Sequence, residues 1–142
     1  MQSVSHSPRE TQKIAAALAK KIAGRRGPVI ITLRGELGAG KTTFVQGFVR
    51  ALGIHARVKS PTFLLIRHYP IKTTGRAVYH VDCYRVMKWQ DLRPLDIQAI
   101  LKDSRNIVLI EWPERIKPIL PKKKTQIVLH HKTPRTRSIS IS

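Results

Sequence analysis

The sequence predicts an α/β fold: a mixed, mostly parallel central sheet flanked by helices. Three observations carry this. Val29-Ile30-Ile31-Thr32-Leu33 is β-branched and apolar on both faces, as a strand covered by two layers must be. A glycine-rich loop follows it and leads into a helical stretch, Thr42 to Leu52, that stops at Gly53. A second two-faced strand, Ile107-Val108-Leu109-Ile110, runs directly into Glu111. A chain of 142 residues suits one domain, residues 1–142, with 1–6 and 133–142 as candidate flexible ends.

Each element has a local reason. Ser7-Pro8-Arg9-Glu10 reads as a capping box, with Ser7 as N-cap, Pro8 at the first helical position and Glu10 reaching back. Ile14, Leu18 and Ile22 then recur at a spacing of four and make one apolar stripe. Gly24 and Gly27-Pro28 end that helix. Phe63 to Tyr69 and Ala77 to Asp82 read as paired strands joined through Pro70 and Gly75. Leu95 to Leu101 reads as a short helix with Pro94 near its start, and Pro113, Pro118 and Pro121 break the stretch after Glu111. Thr125 to His130 alternates like an edge strand, and Ser138 to Ile141 is a weak final one.

Composition narrows the function. The chain carries 27 Lys+Arg against 8 Asp+Glu, a formal net charge of +19, while 42% of its residues are hydrophobic. That is enough apolar surface for a core, so wholesale disorder is excluded. The excess charge has two readings: a polyanionic partner, nucleic acid first, or a general bias toward basic residues on a merely solvated surface. No run approaches the ~20 apolar residues of a spanning helix, and no amphipathic basic helix with aromatic anchors points to a membrane. One cysteine, Cys83, excludes an intrachain disulfide and a multi-cysteine zinc site. With no signal-type stretch at the start, a reduced cytoplasm is the expected compartment.

The glycine-rich loop decides the chemistry. Gly35-Glu36-Leu37-Gly38-Ala39-Gly40-Lys41-Thr42 matches G-x-x-x-x-G-K-[ST] in full, the Walker A pattern, between a buried strand and a helix. Such a loop wraps a phosphate chain with inward backbone N–H groups, and the following helix adds its positive end. Lys41 supplies a cation for the β- and γ-phosphates, and the Thr42 hydroxyl a ligand for Mg²⁺. The fold is therefore a single P-loop NTPase domain. The partner acid of such sites stands at the end of a neighbouring buried strand. Glu111 has that place, as the acid for the metal. Asp82 ends the strand Ala77–Val81 and could orient a water or hold the metal from the other side. His80 shares a face with Asp82 and reads more readily as a packed strand histidine. The only asparagine, Asn106, is followed by Ile107, so no guanine-reading Asn-Lys-x-Asp motif exists and ATP is favoured over GTP.

On the residues alone, three functions stay open. One is an ATPase. Another is a small P-loop kinase for a metabolite, although 142 residues leave little room for a lid and an acceptor site. The third is a basic nucleic-acid-binding module with a vestigial nucleotide site, against which the intact Lys41, Thr42, Asp82 and Glu111 speak.

The chain resembles the bacterial TsaE (formerly YjeE) family, which serves threonylcarbamoyladenosine biosynthesis in tRNA. Four blocks carry the resemblance: Gly35 to Phe44; Val58-Lys59-Ser60-Pro61-Thr62-Phe63; Tyr79-His80-Val81-Asp82-Cys83-Tyr84-Arg85; and Ile110-Glu111-Trp112-Pro113-Glu114. The resemblance implies slow Mg²⁺-dependent ATP hydrolysis, acting as a switch on a complex of two partners, TsaB and TsaD. It implies nucleotide contacts from Glu36, Leu37, Gly38, Ala39, Gly40, Lys41, Thr42 and Thr43. It further implies a Ser60-Pro61-Thr62 loop near the nucleotide, with Thr62 among the contacts. Asp82 and Glu111 would be the acids at metal and water, with Trp112 beside the site. The chain departs from the family in its +19 charge and in Asp96, which stands where the family has glycine. The charge makes direct contact with tRNA an expectation for this chain.

Overall fold

The computed structural model describes residues 1–58 and 65–142. The Ser60-Pro61-Thr62 loop and the expected strand start at Phe63 lie outside the described residues.

Seven strands form one sheet: β1 (Gln2–Ser5), β2 (Val29–Arg34), β3 (Ile66–Ile71), β4 (Arg76–Asp82), β5 (Asn106–Glu111), β6 (Thr125–Thr133) and β7 (Thr136–Ile141). Their spatial order is β1-β7-β6-β2-β5-β4-β3. The central four, β6, β2, β5 and β4, run parallel, and the outer pairings are antiparallel. The helices are α1 (Pro8–Ile22), α2 (Lys41–Ala51) and α3 (Ile97–Lys102), with 3-10 segments at Trp89–Leu95 and Pro113–Ile119. This is the single α/β domain that the sequence predicts.

Strand alternation sorts the core into two layers. Val29, Ile31 and Leu33 of β2, with Ile107 and Leu109 of β5, pack under α1 and α2 against Phe44, Phe48, Leu18 and Ile22. Ile30, Val108 and Ile110 face the other way, against Val86, Leu92, Ile97, Leu101 and Ile116. A strand buried on both faces has no polar alternation, which is why β2 and β5 read as continuous apolar runs. α1 and α2 cross so closely that a Cβ on Gly47 would lie 2.6 Å from the Gln12 backbone.

The cap of α1 forms with one difference. Ser7 Oγ accepts from the Glu10 N–H at 3.1 Å, but the Glu10 carboxylate accepts from His6 N–H at 2.7 Å, one residue before the N-cap. It thereby ties the chain entering from β1. Ser5 Oγ and Thr11 Oγ1, 2.7 Å apart and buried, make a second tie between β1 and α1.

Several expectations need correction. β6 is an interior strand, because β7 and β1 add outside it. Residues 1–6 carry no pattern of their own, yet Gln2–Ser5 forms a strand that pairs with Arg137–Ser140. Pro70 lies inside β3, not in the turn; β3 borders the sheet, where a missing N–H is tolerated. The helix expected from Leu95 starts at Ile97, after Asp96 takes a left-handed turn with φ 56°. Aspartate tolerates that conformation better than most residues, which explains how it fills a glycine position.

Candidate nucleotide site

All four parallel strands end on the same side of the sheet, and the sequence-predicted residues gather there. Leu37, Gly38, Gly40, Lys41, Thr42, Thr43, Asp82, Tyr84, Glu111 and Trp112 line one cleft of about 310 Å³. It sits beyond the carboxyl ends of the strands, where open α/β sheets bind ligands.

The loop between β2 and α2 is shaped for an anion. Gly38 and Gly40 have φ of 80° and 102°, left-handed angles that L side chains resist. Gly40 is the N-cap of α2 and brings no side chain to the cap. The first N–H groups of α2 therefore face the cleft without a side-chain partner from the cap, as a phosphate requires. Among the loop residues, the Glu36 side chain is exposed and that of Ala39 is buried, and neither lines the cleft. Both contribute backbone: Ala39 N–H donates to the Glu36 carbonyl at 3.0 Å and closes the turn.

Lys41 is held in place. Its side chain is 6% exposed; Nζ donates to the Gly35 carbonyl at 2.7 Å and stands 4.2 Å from the centre of the Trp112 ring. Burial lowers its pKa from the ordinary lysine value, and Glu111, Asp82 and Glu114 counteract part of that. An arriving phosphate would offset that cost with its negative charge.

The two acids meet through strand register. β4 and β5 pair with Asp82 opposite Glu111. Asp82 Oδ1 accepts from the Tyr84 N–H at 3.0 Å. Glu111 Oε2 lies 2.6 Å from His80 Nε2, in a pair that is 0% exposed on the histidine side and 5% on the glutamate side. His80 Nδ1 has no partner among the described residues. His80 is thus the residue whose role the sequence understates: it shares the sheet face with Asp82 and touches the other acid. Next to Asp82, burial pushes the Cys83 thiol up to about 12, so it is an inert core residue.

Trp112 adopts φ 57°, an uncommon angle for a bulky residue, at the turn from β5 into the 3-10 segment. Backbone strain of this kind persists where surroundings over-determine it. Here the ring is fixed between Lys41 and Tyr84, whose ring centre is 5.2 Å away.

A second cavity of about 260 Å³ adjoins the loop from the other side. His6, Ser7, Pro8, Thr11, Pro134, Arg135 and Arg137 line it, and it shares Gly40 and Thr43 with the cleft. Ser7 and Pro8 belong to the α1 cap, but no local pattern joins them to Pro134, Arg135 and Arg137; the pairing of β1 with β7 brings both chain ends to the loop.

For Mg²⁺ the donor set fits. Thr42, Asp82 and Glu111 are hard oxygen donors on one cleft, and this metal favours one or two carboxylates plus substrate phosphates over a full protein cage. No cluster of three or more His, Cys, Asp or Glu able to hold a metal exists among the described residues.

The family model described as threonylcarbamoyl adenosine biosynthesis protein TsaE matches residues 5–139. A relative from Bacillus subtilis, named tRNA threonylcarbamoyladenosine biosynthesis protein TsaE, is 35% identical over 136 residues, covering 96% of this chain and 81% of its own. One of the same name from Treponema pallidum is 32% identical over 142 residues, with 100% of both chains covered. The crystal structure of Bacillus subtilis YdiB matches with a TM-score of 0.77 and 32% identity, covering 99% of this chain and 83% of that one.

Proposed function

The chain belongs to the TsaE family, and from that premise we propose that it is a Mg²⁺-dependent ATPase acting as a switch in threonylcarbamoyladenosine modification of tRNA. The observation that carries the reading is the register of β4 and β5, which sets Asp82 beside Glu111 across the cleft from Lys41 and Thr42.

The residues divide the work as follows. The loop N–H groups from Gly38 to Thr43 bind the phosphates, and Lys41 moves from the Gly35 carbonyl to the β- and γ-phosphates. Thr42 and Glu111 hold the metal, which when bound offsets charge on the phosphate oxygens. Asp82 orients the attacking water. The water adds to the γ-phosphorus, the bond to the β–γ bridging oxygen breaks, and the water's proton passes to a carboxylate. ADP and inorganic phosphate result. The cavity behind Thr43 receives the nucleoside, with Arg135 and Arg137 at its rim. Thr62, outside the described residues, completes the nucleotide contacts from the loop that would respond to the γ-phosphate.

The partners in this reading are TsaB- and TsaD-type proteins, and the setting is the cytoplasm, where tRNA is modified. Among the described residues no helix is long and apolar enough to cross a membrane. The test is ATP turnover with Mg²⁺, alone and with the two partner proteins plus tRNA. Slow turnover that rises with the partners is the expected result. ATP binding without any stimulation would remove the switch role.

A further inference from the structure

The acidic residues and the basic ones are segregated along the strands. Asp82 and Glu111 line the nucleotide cleft at the carboxyl ends, Glu36 and Glu114 follow β2 and β5 there, and Glu10 lies in the first turn of α1. Asp91 and Asp96 lie in the segment leading to α3. At the amino end of the parallel strands the one acid among the described residues is Asp103, and Arg105 pairs with it at 3.2 Å. Register places Val29, Ala77, Asn106 and Thr125 together at that end.

There a cavity of about 470 Å³ is lined by Arg25, Arg26, Lys123 and Lys124 with Pro28, Val29, Ile30 and Thr125. No acid lines it. Its basic rim is shaped by hydrogen bonds. The Arg76 guanidinium donates to the carbonyls of Ala23, Arg25 and Gly27 at 3.1, 3.2 and 3.4 Å, so the turn that carries Arg25 and Arg26 is fixed from β4. Lys124 Nζ donates to the Pro121 carbonyl at 3.1 Å and shapes the opposite wall. Four like charges around one concavity repel each other, and a chain of phosphates is the partner that offsets them. A bilayer fits less well: no aromatic side chain lines the cavity, and Val29 and Ile30 are buried in the core.

We propose that this end of the sheet is an RNA-binding surface in which Arg25, Arg26, Lys123 and Lys124 grip the phosphate backbone of a structured RNA. The choice of RNA over DNA rests on the tRNA-modification reading; the anion-binding geometry does not. The surface lies across the sheet from the nucleotide cleft, so RNA and ATP can bind together.

The test measures the affinity of the full chain for unmodified tRNA between about 50 and 200 mM salt, alongside its affinity for ATP. Wild type is expected to bind with a log–log salt slope of about −3. Arg25→Gln/Arg26→Gln/Lys123→Gln is expected to bind about tenfold more weakly, with a slope shallower by about 2 to 3. Arg9→Gln/Lys13→Gln/Arg115→Gln removes the same charge elsewhere and is expected to lose less than about threefold. Arg25→Lys/Arg26→Lys/Lys123→Arg, which keeps the charge, is expected to bind like wild type. An equal loss in the two neutralised variants overturns the proposal, as does a wild type that binds no tRNA. So does a patch variant that loses affinity for phosphatidylserine vesicles and keeps it for tRNA. Unchanged ATP affinity in every variant shows that the fold is intact. Failure of wild type to bind ATP would instead strike the nucleotide reading and leave the RNA result standing.

Discussion

His80 Nε2 stands 2.6 Å from Glu111 Oε2, and both side chains are buried. With no partner at Nδ1 among the described residues, a histidine protonated on Nε2 donates to the carboxylate and fixes how it faces the cleft. In the proposed mechanism His80 is therefore a positioning residue. His80→Ala should lower kcat for ATP hydrolysis about tenfold while leaving ATP affinity nearly unchanged, and His80→Gln should recover part of it. A loss of affinity equal to the loss of kcat would mean that the imidazole only supports the fold. Removal of a buried partner should also cost about 1–3 kcal/mol of stability.

Lys41 is a cation that the fold pays to keep dry. Its pKa is lowered from 10.5 by desolvation. Between that lowered value and 10.5 the native state binds fewer protons than the unfolded chain. Stability therefore rises with pH through this window, and the penalty is complete below it. Lys41→Met should abolish ATP binding without lowering the thermal midpoint at neutral pH. The gain of wild type over the variant on going from pH 8 to 10.5 is the check on sign; a gain for the variant would reverse the assignment.

The contact of Lys41 with Trp112 gives an optical signal. Nζ lies 4.2 Å from the ring centre, and binding of phosphates should draw it away. Tryptophan emission should change on adding ATP, and Trp112→Phe should remove the change while Trp89 remains. A change that survives in Trp112→Phe would place the reporter elsewhere.

Gly47 sets the crossing of α1 and α2, where a Cβ would fall 2.6 Å from the backbone of Gln12. Gly47→Ala must push the helices apart despite the better helix propensity of alanine. Thermal or urea unfolding should show a loss of about 1–3 kcal/mol. A stabilised variant would show that the crossing is soft.

The parts legible in the sequence are those whose cause is local. The loop from Gly35 to Thr42, the Ser7 cap and the two-faced strands β2 and β5 each follow from neighbouring residues. So does the placement of Glu111 and Asp82 at strand ends. The rest depends on contacts distant in sequence. β6 looks like an edge strand because Gln126, Val128 and His130 alternate with Ile127 and Leu129; β7 and β1, from the two ends of the chain, enclose it. The cavity lined by His6, Arg135 and Arg137 exists for the same reason. His80 reads as a packing residue because nothing in one strand tells which side chain the next strand sets beside it.

In the proposed mechanism Glu111 acts in hydrolysis, through metal and water, more than in nucleotide affinity. The most direct measurement is ATP affinity and single-turnover hydrolysis, with Mg²⁺, for wild type and Glu111→Gln. Affinity within about threefold of wild type and hydrolysis slower by about 100-fold is the predicted result. Hydrolysis at the wild-type rate would contradict the account and remove Glu111 from the chemistry.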